Sequence, residues 1–380
     1  MSRIGIGLVG YGFIGRIHAA SFSAVPWMYP GAPHLRLVGV VTATAASAER
    51  ARQEGGYPVA TTSLSELLAR EDIQAISCCT PNDAHREVLL AAMAAGKHVY
   101  CDKPLTLDLE QAREIAALAA ASRGIYQMTF QYRFVPAIQR ARQLVRDGFL
   151  GRLFSFRAVY LHAGYTDPMR PMSWRLQYAR SGGGAVMDLG AHVIDLLRYL
   201  VGEFRAVCAT ERTMIGRRPA GPGGPLVPVD VDDLLLAQAE LDNGAIGTLE
   251  FSRLATGAED DLRLELRGQD GALAFDLMQP DFLEVYDARQ PDAPLGGSRG
   301  WTRVACLGRY AEHGALPGPK FTQGWWRFHI ASAFDFLRNI EQGHMNEGSP
   351  SFQDGLEAQR VVSALQLSAR EGRWVETRAL

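Results

Sequence analysis

Asp188, His192 and Asp195 lie in an otherwise apolar stretch, Val186–Leu200, reading VMDLGAHVIDLLRYL. Their spacing puts all three on one face of a helix. A carboxylate one turn from an imidazole orients the ring and tunes its proton affinity, as general acid–base chemistry requires. The plain alternative is a set of core polar groups that satisfy one another. Ser181-Gly182-Gly183-Gly184 precedes the stretch and reads as a flexible entry loop at the helix N-terminus. Lys103 is a second candidate. It stands just before Pro104, at the end of a strand-like run, where the chain is stiff. Its ammonium can polarise a substrate hydroxyl, lower its pKa and exchange a proton with His192; otherwise it is a solvated surface lysine. Trp174 and Arg175 form a third candidate, a flat apolar face for a sugar ring beside a rigid fork of donors. The alternative for Trp174 is interface packing. Tyr160, His162 and Tyr165, on the preceding strand and loop, can line the same cleft.

A cofactor has to reach these residues, and the N-terminus supplies a place for one. The apolar run Ile4–Val9 is followed by Gly10-Tyr11-Gly12-Phe13-Ile14-Gly15 and then a helical pattern through Ala24. In a strand–G-x-G-x-x-G–helix unit the first glycine permits a tight turn. The second lets the backbone approach a pyrophosphate, and the third lets helix and strand pack closely. A glycine-rich turn of another α/β fold is the competing reading. Leu35–Val41 reads as the second strand, whose end meets the adenosine ribose. An acid there selects NAD; Thr42 stands instead, with Arg50 and Arg52 a few residues on, so NAD and NADP both stay open, with a slight lean towards NADP tolerance.

Helix Ala45–Gln53, helix Leu64–Arg70 opened by Ser63, strand Ala75–Cys79, helix Ala84–Ala95, strand His98–Cys101, helix Leu107–Ser122 and strand Ile125–Gln131 continue the alternation. Thr80-Pro81-Asn82-Asp83 turns the chain and caps the helix that carries His85. Such alternation predicts a doubly wound parallel sheet, a Rossmann domain over residues 1–131. Ligands of such sheets sit off the carboxyl ends of the strands, which places Thr80, Pro81, Asn82, Lys103 and Gln131 at the edge of the glycine loop. His85 then faces the nicotinamide side.

Past residue 131 the texture changes. A helix over Pro136–Asp147 precedes an alternating strand, Leu153–His162. A Pro/Gly-rich excursion, Arg217–Pro228, reads as an exposed loop. Asp233–Leu241 and Ile246–Leu254 flank Asp242-Asn243-Gly244, a hairpin signal, and Leu262–Arg267 and Ala272–Leu277 flank a second, with Leu283–Tyr286 adding a strand. Helices over Trp326–Glu341 and Leu356–Ala369 close the chain. Residues 132–380 thus read as an α+β domain with an open, mostly antiparallel sheet. Trp325, Trp326 and His329 read as packing, and His18, His34, His98, His313 and His344 as structural.

Composition limits the partners. The chain has 380 residues, enough for two domains, with 47% hydrophobic residues and a formal net charge of −2. That balance argues against a dedicated nucleic-acid or anionic-membrane binder. No apolar run approaches the roughly 20 residues of a spanning helix. The start, MSRIGIGLVGYG, reads as a strand rather than a signal peptide. Cys78, Cys79, Cys101, Cys208 and Cys306 are an odd, scattered set without CxxC, read as reduced core residues of a cytoplasmic protein. No His/Cys/Asp/Glu grouping has metal-ligand spacing, so no metal is expected.

The chain resembles the Gfo/Idh/MocA family of NAD(P)-dependent sugar and polyol oxidoreductases. The residues that carry the resemblance are Gly10–Gly15 (GYGFIG), Ser77–His85 (SCCTPNDAH), Gly96–Pro104 (GKHVYCDKP), Gln131–Pro136 (QYRFVP), Ser173–Arg175 (SWR) and Gly182–Leu200. They occur in the family's order and span essentially the whole length. The resemblance implies that Lys103 is the lysine of the family's Glu-Lys-Pro motif, here preceded by Asp102, and that Asp188, Gly190 and His192 form its D-x-G-x-H motif, with His192 as acid–base residue. The catalytic set is then Lys103, Asp188 and His192. The cofactor set is Gly10, Gly12, Phe13, Ile14, Gly15, Thr42, Thr80, Pro81, Asn82, His85, Asp102, Lys103, Gln131, Trp174 and Arg175. Substrate contacts fall to Lys103, Tyr132, His162, Tyr165, Trp174, Asp188 and His192. The implied reaction moves a hydride between NAD or NADP and a ring hydroxyl or ketone of a sugar, anhydrosugar or inositol-like polyol. A glycosidase of the same fold, using transient oxidation of the sugar, is the alternative; a non-catalytic dinucleotide sensor fits less well with the Lys103, Asp188 and His192 set. Members pair their open sheets as dimers or tetramers, so a homodimer or homotetramer is expected, the apolar sheet face needing a cover.

Overall fold

The computed structural model describes residues 3–308, 315, 316, 318, 320–322 and 324–380. His313 lies outside the described residues. Contacts divide the chain into two units, Met1–Phe134 with Glu312–Glu357, and Val135–Ala311 with Ala358–Leu380.

The first unit is built on six parallel strands: β1 (Ile4–Val9), β2 (Leu35–Val41), β3 (Val59–Thr61), β4 (Ala75–Cys78), β5 (His98–Cys101) and β6 (Tyr126–Met128). Their order is β3-β2-β1-β4-β5-β6. Helices α1 (Phe13–Met28), α2 (Ala45–Gly55), α3 (Leu64–Leu68), α4 (Asn82–Ala94) and α5 (Leu109–Ala120) connect them. All six residues of β1 are buried, which is why it reads as an unbroken apolar run rather than an alternation. The strand order reverses between β1 and β4, so this switch point opens a crevice beyond their carboxyl ends. The short β3 has no sequence signature of its own. β6 is shorter than the expected Ile125–Gln131, because the chain leaves the sheet for a 3₁₀ turn at Gln131–Phe134.

The second unit begins with α6 (Pro136–Arg146) and β7 (Leu153–Leu161). After α7 (Tyr178–Ser181), residues Val186–Gly190 form a π-helical turn that runs directly into α8 (Ala191–Val201). Then come β8 (Phe204–Arg212), the small hairpin of β9 (Arg217–Pro219) and β10 (Leu226–Pro228), β11 (Leu234–Leu241), β12 (Ile246–Ser252), β13 (Asp261–Gly268), β14 (Gly271–Asp276), β15 (Phe282–Asp287) and β16 (Trp301–Ala305). With β17 (Val375–Glu376) they make a nine-stranded sheet, ordered β16-β15-β14-β13-β7-β12-β11-β8-β17. Only β7 and β12 run parallel; every other neighbouring pair is antiparallel. The expected Asp242-Asn243-Gly244 turn joins β11 to β12, with Gly244 at φ 83°. The sequence did not announce β8, β16 or β17, and part of the Arg217–Pro228 excursion is strand rather than loop.

The sheet's two faces differ in character. One packs under α8 through residues such as Phe156, Ala158, Leu235, Leu249 and Phe251. The other exposes Arg157, Gln238, Thr248, Arg263 and Arg267 beside Leu236 and Ile246. Ion pairs join Arg205 to Glu240 and Arg267 to Glu265 across it. The expected apolar face is therefore a mixed, charge-laced one, because polar residues fill the outward positions of the alternating strands.

Two helices close the chain: α9 (Trp325–Gln342) and α10 (Phe352–Glu371). The expected division at residue 131 places α9 with the C-terminal domain. Instead, α9 packs on α1 of the first unit. Trp326 Nε1 donates to Ser21 Oγ at 3.0 Å, and the Tyr29 and Phe334 rings stack 3.9 Å apart. Helix α9 is apolar on the face it presents to α1, so it completes the first unit's core although most of the second unit precedes it in the chain.

The glycine run ahead of the π turn is not flexible. Ser181, Gly182, Gly183 and Gly184 are all buried. A Cβ on Gly184 would stand 1.7 Å from the carbonyl oxygen of Asp232, so glycine is required there for close approach of two backbones. Gly184→Ala is expected to destabilise the protein by about 1–3 kcal/mol or more, as overpacking does. Gly216→Ala, where a Cβ would meet nothing within 4 Å, is expected to be near neutral. Urea unfolding followed by circular dichroism measures both; equal midpoints for the two variants would remove the close-approach argument.

Candidate active site

In the first unit, the loop between β1 and α1 has the shape that a dinucleotide demands. Gly10 adopts φ 96°, and a Cβ there would meet the Cys79 carbonyl oxygen at 2.5 Å. A Cβ on Gly15 would lie 2.2 Å from the Gly10 carbonyl oxygen. Around Gly12 there is open space within 4 Å, and this residue starts α1 without any side-chain cap. The first amides of α1 therefore face that space without a side-chain acceptor, and the helix dipole favours an anion there. The residues fit a bound pyrophosphate. Phe13 is exposed beside the loop and Ile14 is half-buried.

At the end of β2, Thr42 is buried. Its hydroxyl donates to the Thr44 carbonyl at 3.0 Å and accepts from Ser47 Oγ at 2.7 Å, which holds the turn into α2. Arg52, one of the two arginines considered for a 2′-phosphate, is paired with Glu49 at 2.6 Å. Thr80 and Pro81 lie half-buried after β4, and Asn82 is buried at the start of α4. Pro81 is the residue at the cap position of α4 and makes no side-chain cap bond. Asp102 accepts a hydrogen bond from Thr129 Oγ1 at 2.8 Å, and Lys103 follows it half-buried, joined to Pro104 by a cis peptide bond.

Three expected contact residues of this unit are enclosed. His85 is fully buried, its Nε2 3.1 Å from the Thr80 carbonyl and its Nδ1 2.9 Å from the Pro104 carbonyl. It bridges the turns at Thr80 and Pro104. Gln131 is buried in the 3₁₀ turn, and the buried Tyr132 hydroxyl accepts from Trp325 Nε1 at 3.1 Å.

In the second unit the sequence candidates converge. The Asp188 carboxylate accepts from Arg253 Nη2 at 3.2 Å. Arg253 is itself buried, donates to the Arg175 carbonyl at 3.2 Å, and lies 5.0 Å from the Tyr165 ring centre. The His162 and Tyr165 rings are 5.9 Å apart, as are those of Tyr160 and His192 at 6.0 Å. The Tyr160 hydroxyl donates to Asp260 at 2.6 Å. Burial holds the His162 imidazole below its ordinary pKa, against the opposing pull of Asp188, so it is neutral near pH 7. Arg175 stacks on Trp174 with the guanidinium 4.4 Å from the ring centre, which presents a combined flat and cationic surface. Tyr165, expected at the substrate, is buried among Leu176, Val229 and Val231, with three arginines around its ring.

Two residues that position this cluster escaped the sequence reading. Arg253 follows β12 directly and supplies the charge opposite Asp188. Asp232 binds the backbone at the mouth of the π turn, accepting from Gly184 N–H at 2.6 Å and Val186 N–H at 2.9 Å. It is a helix cap supplied from 46 and 48 positions away. The only sequence signal was an acid-rich Asp230–Asp233 segment inside an apolar context. The Asp188-to-His192 spacing crosses the boundary between π and α geometry, so the expected continuous α-helical face is interrupted where the two residues sit.

A family model described as an oxidoreductase family with an NAD-binding Rossmann fold, GFO/IDH/MocA, matches residues 4–130. A second, the GFO/IDH/MocA C-terminal domain, matches residues 138–274. Levoglucosan dehydrogenase of Pseudarthrobacter phenanthrenivorans is 34% identical, over 99% of this chain and 98% of the relative. Inositol 2-dehydrogenase of Rhizobium meliloti is 28% identical, over 97% and 98%. Among solved structures, levoglucosan dehydrogenase in complex with NADH and L-sorbose superposes with a TM-score of 0.94 at 33% identity, covering 99% of both chains.

Beneath the glycine loop, His18 is fully buried, with Nδ1 2.9 Å from Ser77 Oγ and 3.0 Å from Cys79 Sγ. Burial pushes its pKa down to about 4, with Asp102 opposing. An unfolded chain takes up this proton below about pH 6.5, while the folded one resists until about pH 4. The neutral ring thus contributes stability above pH 6.5 that is lost as the pH falls towards 4, about 3 kcal/mol in all. Urea unfolding at pH 7.5 and pH 4.5 is expected to show a larger acid loss in the wild type than in His18→Gln. Equal losses would contradict the assignment.

Proposed function

We propose that this chain, which belongs to the Gfo/Idh/MocA family of NAD-binding oxidoreductases, oxidises a ring hydroxyl of an anhydrosugar or cyclic polyol, with levoglucosan-like compounds first and inositols next. The observation that carries the proposal is the second unit's set of groups: an acid paired with a buried arginine, two imidazoles and an aromatic–guanidinium surface, with Asp188 and His192 set by one helix start. Such a set suits a neutral, many-hydroxyl ligand, since it offers both donors and acceptors and a flat face for a ring. The substrates in the names of the two relatives point the same way.

Bound NAD supplies the hydride acceptor. The open space at Gly12 and the uncapped start of α1 receive its phosphates, and the Thr80–Pro81 turn and Asp102 line the strand ends beyond them. His192 removes the hydroxyl proton as the carbinol is oxidised and returns it in the reverse direction. Lys103 stabilises the developing alkoxide by charge and by donating a hydrogen bond. Asp188, its charge balanced by Arg253, accepts from a neighbouring hydroxyl of the ring. Trp174 with Arg175 provides the stacking surface. NAD is the favoured dinucleotide, because Arg52 is tied to Glu49 and Thr42 is spent within its own turn.

Among the described residues no helix is long and apolar enough to cross a membrane, and none of the five cysteines is in a disulfide. A cytoplasmic location and a homodimeric or homotetrameric assembly complete the proposal. Light scattering across working concentrations is expected to show a dimer or tetramer, and a monomer throughout would contradict that part.

Absorbance at 340 nm is the direct assay. Turnover is expected with NAD and an anhydrosugar or inositol from a panel. His192→Ala and Lys103→Met are each expected to lose about 10²–10⁴-fold in kcat, with NAD affinity retained in His192→Ala. A loss of only a few-fold for His192→Ala would remove its acid–base role.

A further inference from the structure

Cys78, His85 and Cys101 have no common sequence motif, yet the fold brings them together. Cys78 ends β4 and Cys101 ends β5, and the two are register partners in the parallel sheet. His85 comes from the first turn of α4. Its Nδ1 lies 3.7 Å from Cys101 Sγ, and one donor atom from each of the three residues falls within 4.8 Å of the others. All three side chains are fully buried. We propose that this cluster is a binding site for a soft divalent cation such as Zn²⁺ or Cd²⁺, held by two thiolates and the imidazole Nδ1.

The donor set and its spacing both favour such an ion. Thiolate and imidazole are the ligands of tetrahedral zinc, at about 2.3 Å and about 2.0–2.1 Å. At those bond lengths the donors of a tetrahedron stand roughly 3.5–3.8 Å apart, close to the Cys101–His85 separation. The histidine supplies the second argument. A neutral imidazole has one N–H. If Nε2 donates to the Thr80 carbonyl, the Nδ1 lone pair faces Cys101 Sγ and the Pro104 carbonyl oxygen. A cation at that point meets the lone pair, the sulfurs and the oxygen favourably together. The Nε2–H to Thr80 bond then orients the ligand ring, as outer partners of metal-bound histidines do. An ion here ties the end of β4 to the turns at Thr80 and Pro104, both beneath the cofactor-facing edge of the sheet.

The test uses the reduced, full-length protein equilibrated with Co²⁺ or Cd²⁺. One ion per chain is expected, with a thiolate-to-metal charge-transfer absorption that survives in Cys208→Ser and Cys306→Ser. The band is expected to vanish in the Cys78→Ser/Cys101→Ser double variant. X-ray absorption of the Zn²⁺-loaded wild type keeps the proposal falsifiable even where that variant fails to fold. Two sulfur neighbours at about 2.3 Å with nitrogen or oxygen at about 2.0–2.1 Å support the site. Oxygen and nitrogen neighbours alone, or a charge-transfer band that persists in the double variant, would overturn it.

Discussion

Two backbone N–H groups bound to the two oxygens of Asp232 fix where the helix of the second unit begins. Those bonds, from Gly184 at 2.6 Å and Val186 at 2.9 Å, satisfy amides that would otherwise be orphaned in a buried place. They also demand a glycine, since the Asp232 carbonyl occupies the position of a Cβ on residue 184. From that start the π turn sets Asp188 against Arg253 and passes directly into the helix that carries His192. Burial raises the Asp232 carboxyl's pKa, with the backbone donors pulling it back down, so the cap works against its own desolvation. A different helix start would rotate both polar side chains away from the partners they now have.

The first unit is organised by a comparable economy of space. Gly10 and Gly15 are small because backbone oxygens approach them, while Gly12 faces open space where a phosphate fits. Around this loop lies a shell of buried polar side chains, His18, Ser77, His85 and Thr129, that connect the strand ends to one another. They bond neighbouring side chains and turns at the strand ends.

Much of this was legible in the sequence, and the failures have physical causes. The parallel strands read well because both of their faces are buried, and Ile4–Val9, Leu35–Val41 and His98–Cys101 fall where their apolar runs predict. The family motifs mark Lys103, Asp188 and His192 as candidates without any geometry. Periodicity missed β3 and β17, which are too short to show one. β8 was missed because charged residues interrupt its apolar positions. The glycine run was misjudged because sequence does not distinguish a glycine needed for freedom from one needed for closeness. Asp232 and Arg253 act through partners far away in the chain, as do Cys78, His85 and Cys101, so no local pattern marks them. The π turn has no residue signature of its own and is invisible until the backbone is traced. His85 and Tyr132 carry the family motif and are buried, a feature that motif matching does not reveal.

We propose that a hydrogen leaves a ring carbinol as hydride and is accepted by the nicotinamide. Its most direct test is to supply a turned-over anhydrosugar or polyol deuterated at the oxidised carbon and to analyse the reduced cofactor by mass spectrometry. One deuterium is expected in NADH for each ketone formed, together with a slowed hydride-transfer step. Reduced cofactor without the label, or product formed with no reduced cofactor at all, would contradict it.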